Sequence, residues 1–85
     1  MNADHLSLYQ FPSCPFCQRV LDAIARLGLD IQLRDTRATA AYRDELLAAT
    51  GRTTVPCLRI EESGGTRWLP ESADIIRYLE REFGP

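Results

Sequence analysis

Two cysteines separated by two residues, in the run Cys14-Pro15-Phe16-Cys17, are the side chains of this chain best equipped for chemistry. They follow an apolar stretch from Leu6 to Phe11 and precede a helix-like pattern from Arg19 to Gly28. At a strand-to-helix junction, unpaired backbone N–H groups and the positive end of the helix dipole both favour a thiolate. With Cys14 in the N-cap region and Pro15 in the first helical turn, the Cys14 sulfur faces those groups. Cys17 lies one turn further along on the same side. Cys14 is then the attacking thiolate and Cys17 the resolving thiol, close enough for a reversible disulfide. The other uses of such a pair are half of a zinc site or an incidental spacing. Structural zinc takes four ligands, and only Cys57 and the single His5 remain outside the motif. No metal is expected, His5 reads as a solvated surface residue, and C-x-x-C in a βαβ context is itself a redox signature.

Composition narrows the partners. The chain has 85 residues, 45% hydrophobic and 26% charged, as expected for one folded domain spanning 1–85. A net charge of −2 supplies no basic stripe for a phosphate backbone, so neither nucleic acid nor an anionic membrane is expected. All ten basic residues are arginine. Lysine is absent, which excludes Schiff-base chemistry and a P-loop lysine and leaves any bound carboxylate to arginine or backbone N–H groups. Met1 to His5 lacks the charged and apolar regions of a secretory leader, and no apolar run approaches a membrane span. Three cysteines fit poorly with a disulfide-stapled secreted scaffold, so a reducing cytoplasm is the expected location.

The elements that must position the cysteines follow from periodicity. Leu6 to Phe11 is short, apolar and bounded by Pro12 and Ser13, which predicts a buried strand. A helix follows, with Val20, Ile24 and Leu27 as its core stripe and Gly28 as its stop. Ile31 to Leu33 predicts a second strand, parallel to the first because a helix intervenes. Tyr42, Leu46, Leu47 and Ala49 mark an amphipathic helix from Thr39 to Thr50, ended by Gly51. Val55 to Ile60 predicts a third strand, joined through Ser63-Gly64-Gly65 to a fourth from Thr66 to Leu69. A closing helix starts near Glu71 or Ser72, carries Ile75, Ile76, Leu79 and Phe83 on one stripe, and stops at Gly84-Pro85. The order β-α-β-α-β-β-α requires an α/β fold, a four-stranded mixed sheet with helices on both faces. Cys57, Trp68 and Tyr9 read as packing residues.

The chain resembles a glutaredoxin, with a thioredoxin-like fold, on three motifs in order: Cys14-Pro15-Phe16-Cys17 after the first strand, Thr54-Val55-Pro56 before the third, and Glu71-Ser72 opening the last helix. The Glu71-Ser72 pair is also similar to the glutathione site of the glutathione transferase N-terminal domain, a relative with the same fold. The resemblance implies a cis peptide bond between Val55 and Pro56, with the Val55 backbone pairing strand-like with the cysteinyl unit of glutathione. Ser72 and its neighbouring N–H groups would seat the γ-glutamyl carboxylate, with capping of the helix as the simpler role of Ser72. Asp74 would take the ammonium. Many glutaredoxins place a lysine three residues before the first cysteine; here that residue is Phe11, which leaves the glycine carboxylate to Arg52 or Arg19. Phe16 keeps an aromatic ring over the site.

A glutathione-dependent thiol–disulfide oxidoreductase is thus expected, a monomer with glutathione as co-substrate and no tightly bound cofactor. Its substrates would be glutathionylated or disulfide-containing proteins. Two other readings stand beside it: a glutathione transferase-like domain, and a non-catalytic carrier such as a glutathione-ligated iron–sulfur dimer, which Pro15 beside Cys14 would crowd.

Overall fold

The computed structural model describes residues 2–84, and Pro85, the second half of the expected helix stop, lies outside them. Its elements are β1 (Asn2–Gln10), α1 (Pro15–Arg26), β2 (Asp30–Asp35), α2 (Ala40–Thr50), β3 (Cys57–Glu62), β4 (Gly65–Pro70) and α3 (Ser72–Phe83). The sheet order is β2-β1-β3-β4, with β1 and β2 parallel and the β1–β3 and β3–β4 pairs antiparallel. This is the four-stranded mixed sheet expected from the element order, in the thioredoxin-like arrangement that the resemblance implies.

Side-chain alternation divides the core between the two faces of the sheet. Leu6 and Leu8 of β1 and Leu58 and Ile60 of β3 pack on one face against Val20 and Ile24 of α1 and Ile75, Tyr78 and Leu79 of α3. In register, Leu8 stands opposite Leu33 and Leu58, and Leu58 opposite Leu69, so the central strands carry that core. The other face holds Tyr9 and Cys57, which meet Leu46 of α2, with Tyr42, Val55 and Trp68 around them. Helix α2 is less deeply seated than expected. Leu46 is buried, but Leu47 is 46% exposed and Ala49 is exposed as well, because one turn of this short helix faces the sheet. A polar network fastens it instead: the Tyr9 hydroxyl donates to Glu45 Oε1 at 2.7 Å, and Arg34 Nη1 donates to both at 2.7 and 2.8 Å.

Several boundaries differ from the sequence reading. β1 begins at Asn2 rather than Leu6, because its early polar residues still join the ladder opposite Asp30 despite an irregular register. β3 begins at Cys57 rather than Val55, since Pro56 has no N–H to give to a ladder. The β3–β4 connection is a hairpin in which Glu62 faces Gly65 across Ser63-Gly64. Tyr78, absent from the apolar stripe read in the sequence, is buried in the main core.

Strand directions set where chemistry can occur. β1, β2 and β4 end, and β3 begins, at one edge of the sheet. Crossing that edge in sheet order, the β2–α2 turn comes first, then the loop carrying Cys14, the Val55-Pro56 segment and the β4–α3 junction. In open α/β sheets, ligands bind beyond the carboxyl ends of the parallel strands.

Candidate active site

Cys14 is the N-cap residue of α1, with φ −84° and ψ 117°, and Pro15 is the first helical residue. The fixed φ of proline suits this position, and its missing N–H is one that a helix start cannot pair anyway. The Cys17 backbone N–H donates to Cys14 Sγ at 3.3 Å, so the sulfur occupies the place that a serine or aspartate oxygen takes in an ordinary cap. A loop bond from Cys14 N–H to the Phe11 carbonyl, 3.2 Å, holds the residue in place. Cys14 keeps 8% exposure and Cys17 has none. Burial, and then the hydrogen bond with Cys14, push the Cys17 thiol up from 9.0 to about 12. Cys17 therefore stays protonated near neutrality.

Beside the motif runs a groove of about 660 Å³, a size suited to a small ligand. It is lined by Phe16, by Ala49, Thr50 and Arg52 at the end of α2, by Thr54, Val55, Pro56 and Cys57, and by Trp68, Pro70, Glu71 and Ser72. Of the residues singled out in the sequence, Phe16, Arg52, Thr54, Val55, Pro56, Glu71 and Ser72 are brought together here. Pro15 and Arg19 are exposed on α1 and do not line it, and Cys14 and Cys17 are buried at the helix start. The Val55–Pro56 peptide bond is cis.

At the far end of the groove the β4–α3 junction corrects one expectation. Ser72 does not cap α3: the N-cap is Glu71, no side chain bonds to the free N–H groups, and Ser72 is the first helical residue. Glu71 sits at φ 74° and ψ 119°, a conformation that costs a non-glycine residue roughly 1–3 kcal/mol. This sharp turn puts Ser72, 8% exposed, at the groove together with Glu71. Asp74 is engaged by Arg77 one turn along the helix and does not line the groove.

Sequence reasoning underrated Cys57 and Trp68, which line the groove as well as packing the core. Burial pushes the Cys57 thiol up from 9.0 to about 11, which makes it a poor nucleophile at neutral pH. Arg37 was missed altogether. Its guanidinium lies over the Phe11 ring, 3.9 Å from the centroid, and Nη1 donates to Ser13 Oγ at 3.1 Å. No local signal marks that contact, because its partners are more than twenty residues away.

Known proteins share the fold. Residues 8–85 match the family described as glutathione S-transferase, N-terminal domain. Glutaredoxin 3 of Escherichia coli K12 is 32% identical over 57 residues, covering 67% of this chain and 69% of that protein. Maleylacetoacetate isomerase from Anaeromyxobacter dehalogenans, solved with glutathione in its active site, is 30% identical with a TM-score of 0.69. That match covers 92% of this chain and 37% of the isomerase. A Bombyx mori glutathione transferase is 28% identical with a TM-score of 0.73, over 99% of this chain and 38% of the transferase. The chain thus spans well under half the length of these solved relatives.

Proposed function

The chain belongs to the glutathione S-transferase N-terminal domain family and is a homologue of glutaredoxin 3, and from that premise we propose that it is a glutathione-dependent thiol–disulfide oxidoreductase. The observation that carries this reading is Cys14 Sγ at the start of α1, accepting the Cys17 N–H at 3.3 Å beside a groove suited to a tripeptide. The sulfur thus sits at the N-terminus of the helix with a backbone N–H directed at it.

In the proposed reaction the Cys14 thiolate attacks the glutathione sulfur of a protein–glutathione mixed disulfide. A Cys14–glutathione disulfide forms as the original S–S bond breaks, and the electron pair leaves on the protein sulfur, which takes a proton from solvent. A second glutathione thiolate then attacks the bound glutathione sulfur, forming glutathione disulfide and releasing Cys14 as thiolate. With a protein disulfide as substrate, Cys17 gives up its proton and attacks the mixed disulfide at Cys14, freeing the second protein thiol and leaving the Cys14–Cys17 disulfide for glutathione to reduce.

Glutathione would lie along the groove. The free N–H groups of α3 and Ser72 suit its γ-glutamyl carboxylate, and Glu71, rather than the occupied Asp74, suits its ammonium. The Val55 backbone would pair with the cysteinyl unit. Arg52 lines the groove without a carboxylate partner among the described residues, which favours it over Arg19 for the glycine carboxylate. The protein would act as a cytoplasmic monomer.

Family membership keeps a transferase reading in view, since Glu71-Ser72 serves either chemistry. Turnover of a small glutathionylated substrate by wild type, Cys14→Ser and Cys17→Ser separates the two. Activity is expected to vanish in Cys14→Ser and to persist substantially in Cys17→Ser; glutathione conjugation of an electrophile that survives Cys14→Ser would favour the transferase.

A further inference from the structure

Arg37 is a fixed cation beside the Cys14 loop that the proposed reaction does not use. Its backbone is fixed from three directions. Asp35 Oδ1 accepts the N–H groups of Arg37 and Ala38, both at 2.9 Å. The Thr36 N–H donates to the Gln10 carbonyl at 3.0 Å, and the Thr39 N–H donates to the Asp35 carbonyl at 3.1 Å. The turn is thereby tied to the end of β1. Phe11 supplies a ring face for the guanidinium, and Ser13, the residue before Cys14, takes one of its five donors. Asp35 is occupied by backbone, and no other carboxylate pairs with Arg37 among the described residues. An exposed arginine held in one place with most of its donors unused is equipped to receive a carboxylate from outside.

Its position says which part of a substrate it would meet. Sheet order places the β2–α2 turn on one side of the Cys14 loop and the Val55-Pro56 segment and β4–α3 junction on the other. The groove draws most of its lining from the second side, with Phe16 and the end of α2, and takes nothing from residues 36–39. With glutathione in the groove, the side of the Cys14 loop on which Arg37 lies is the side left for the other half of the substrate disulfide. We propose that Arg37 is a specificity-determining residue that binds a carboxylate on the polypeptide half of the substrate, so that cysteines flanked by Asp or Glu are reduced preferentially. This rests on the oxidoreductase reading for its substrate class.

Two measurements test it and separate its failure from that of the reductase. First, kcat/KM is compared for glutathionylated peptides that differ only in Glu, Gln or Arg beside the cysteine, with wild type, Arg37→Ala and Arg37→Glu. Wild type should favour the Glu peptide over the Arg peptide by about 3- to 5-fold, the range an exposed ion pair supports. Arg37→Ala should abolish the preference, Arg37→Glu should reverse it, and added salt should shrink it. An equal fall for all peptides, or a raised KM for glutathione with unchanged peptide preference, would overturn the proposal.

The second measurement needs no turnover. In a Cys17→Ser background, the same peptides activated as thiopyridyl disulfides are mixed with the protein. The Cys14 thiolate attacks the peptide sulfur and thiopyridone leaves, which is followed by absorbance. Faster capture of the Glu peptide that depends on Arg37 sustains the inference even if the glutathione reaction is absent. Capture indifferent to peptide charge sinks it even if the enzyme is active.

Discussion

Three cysteines in one small chain are given different reactivities by where each sulfur lies. Cys14 receives a backbone N–H, whereas Cys17 and Cys57 are sealed in the interior and pushed up to about 12 and about 11. Because the folded state raises these two thiols above their ordinary value of 9.0, it keeps protons that the unfolded chain releases. Their stabilisation is complete below about pH 9 and is lost as pH rises through about 11 for Cys57 and about 12 for Cys17. Replacing Cys57 with Ala should therefore flatten the fall in thermal midpoint between pH 8.5 and pH 11. Tyr9 and Tyr78, also raised by burial, act in the same direction in both proteins and cancel from the difference. Identical pH slopes for the two proteins would refute a buried Cys57 thiol. The placement of Cys14 and Cys17 at a helix start was legible in the four-residue motif. The position of Ser72 was not, since whether a serine caps a helix or begins it depends on the φ of its neighbour Glu71.

Of the three helices, α2 buries only Leu46, and it contributes Ala49 and Thr50 to the groove, with Arg52 just beyond. It ends at Gly51, which adopts φ 75° and donates its N–H to the Leu47 carbonyl at 2.8 Å. Nothing lies within 4 Å of where a Cβ would be, so substitution there costs only backbone energy. Gly51→Ala is expected to lower stability by about 1–2 kcal/mol in urea denaturation, the penalty for an L-residue in the left-handed region. A neutral result would show that the chain turns there in another way. Helix and strand identities were readable from apolar spacing and from Gly28 and Gly51. The exposure of Leu47 and Ala49 was not, because four apolar residues on α2 do not reveal that only Leu46 is buried.

At the scale of the whole molecule, the two central strands carry the core and also deliver the site. Leu58 is fully buried between Leu8 and Leu69, and the strand it belongs to starts directly after Pro56. Leu58→Ala should cost about 2–5 kcal/mol, a large part of the roughly 5–15 kcal/mol available to a domain. A loss below about 1 kcal/mol would mean that the core closes around the cavity, contrary to the packing described. The groove itself exists because α1, α2, α3 and the Val55-Pro56 segment all arrive at one edge of the sheet.

By itself the sequence determined the thiol pair, the Thr54-Val55-Pro56 and Glu71-Ser72 motifs and the order of elements, and with them the fold. Those features are local: each follows from a few neighbouring residues, their periodicity and the conformations that proline and glycine allow. Only the tertiary structure decided that Arg52 and not Arg19 lines the groove, that Asp74 is occupied by Arg77, and that Arg37 lies on Phe11 beside Cys14. Such outcomes depend on which loops the sheet order sets side by side, and that distance through space is not written in distance along the chain.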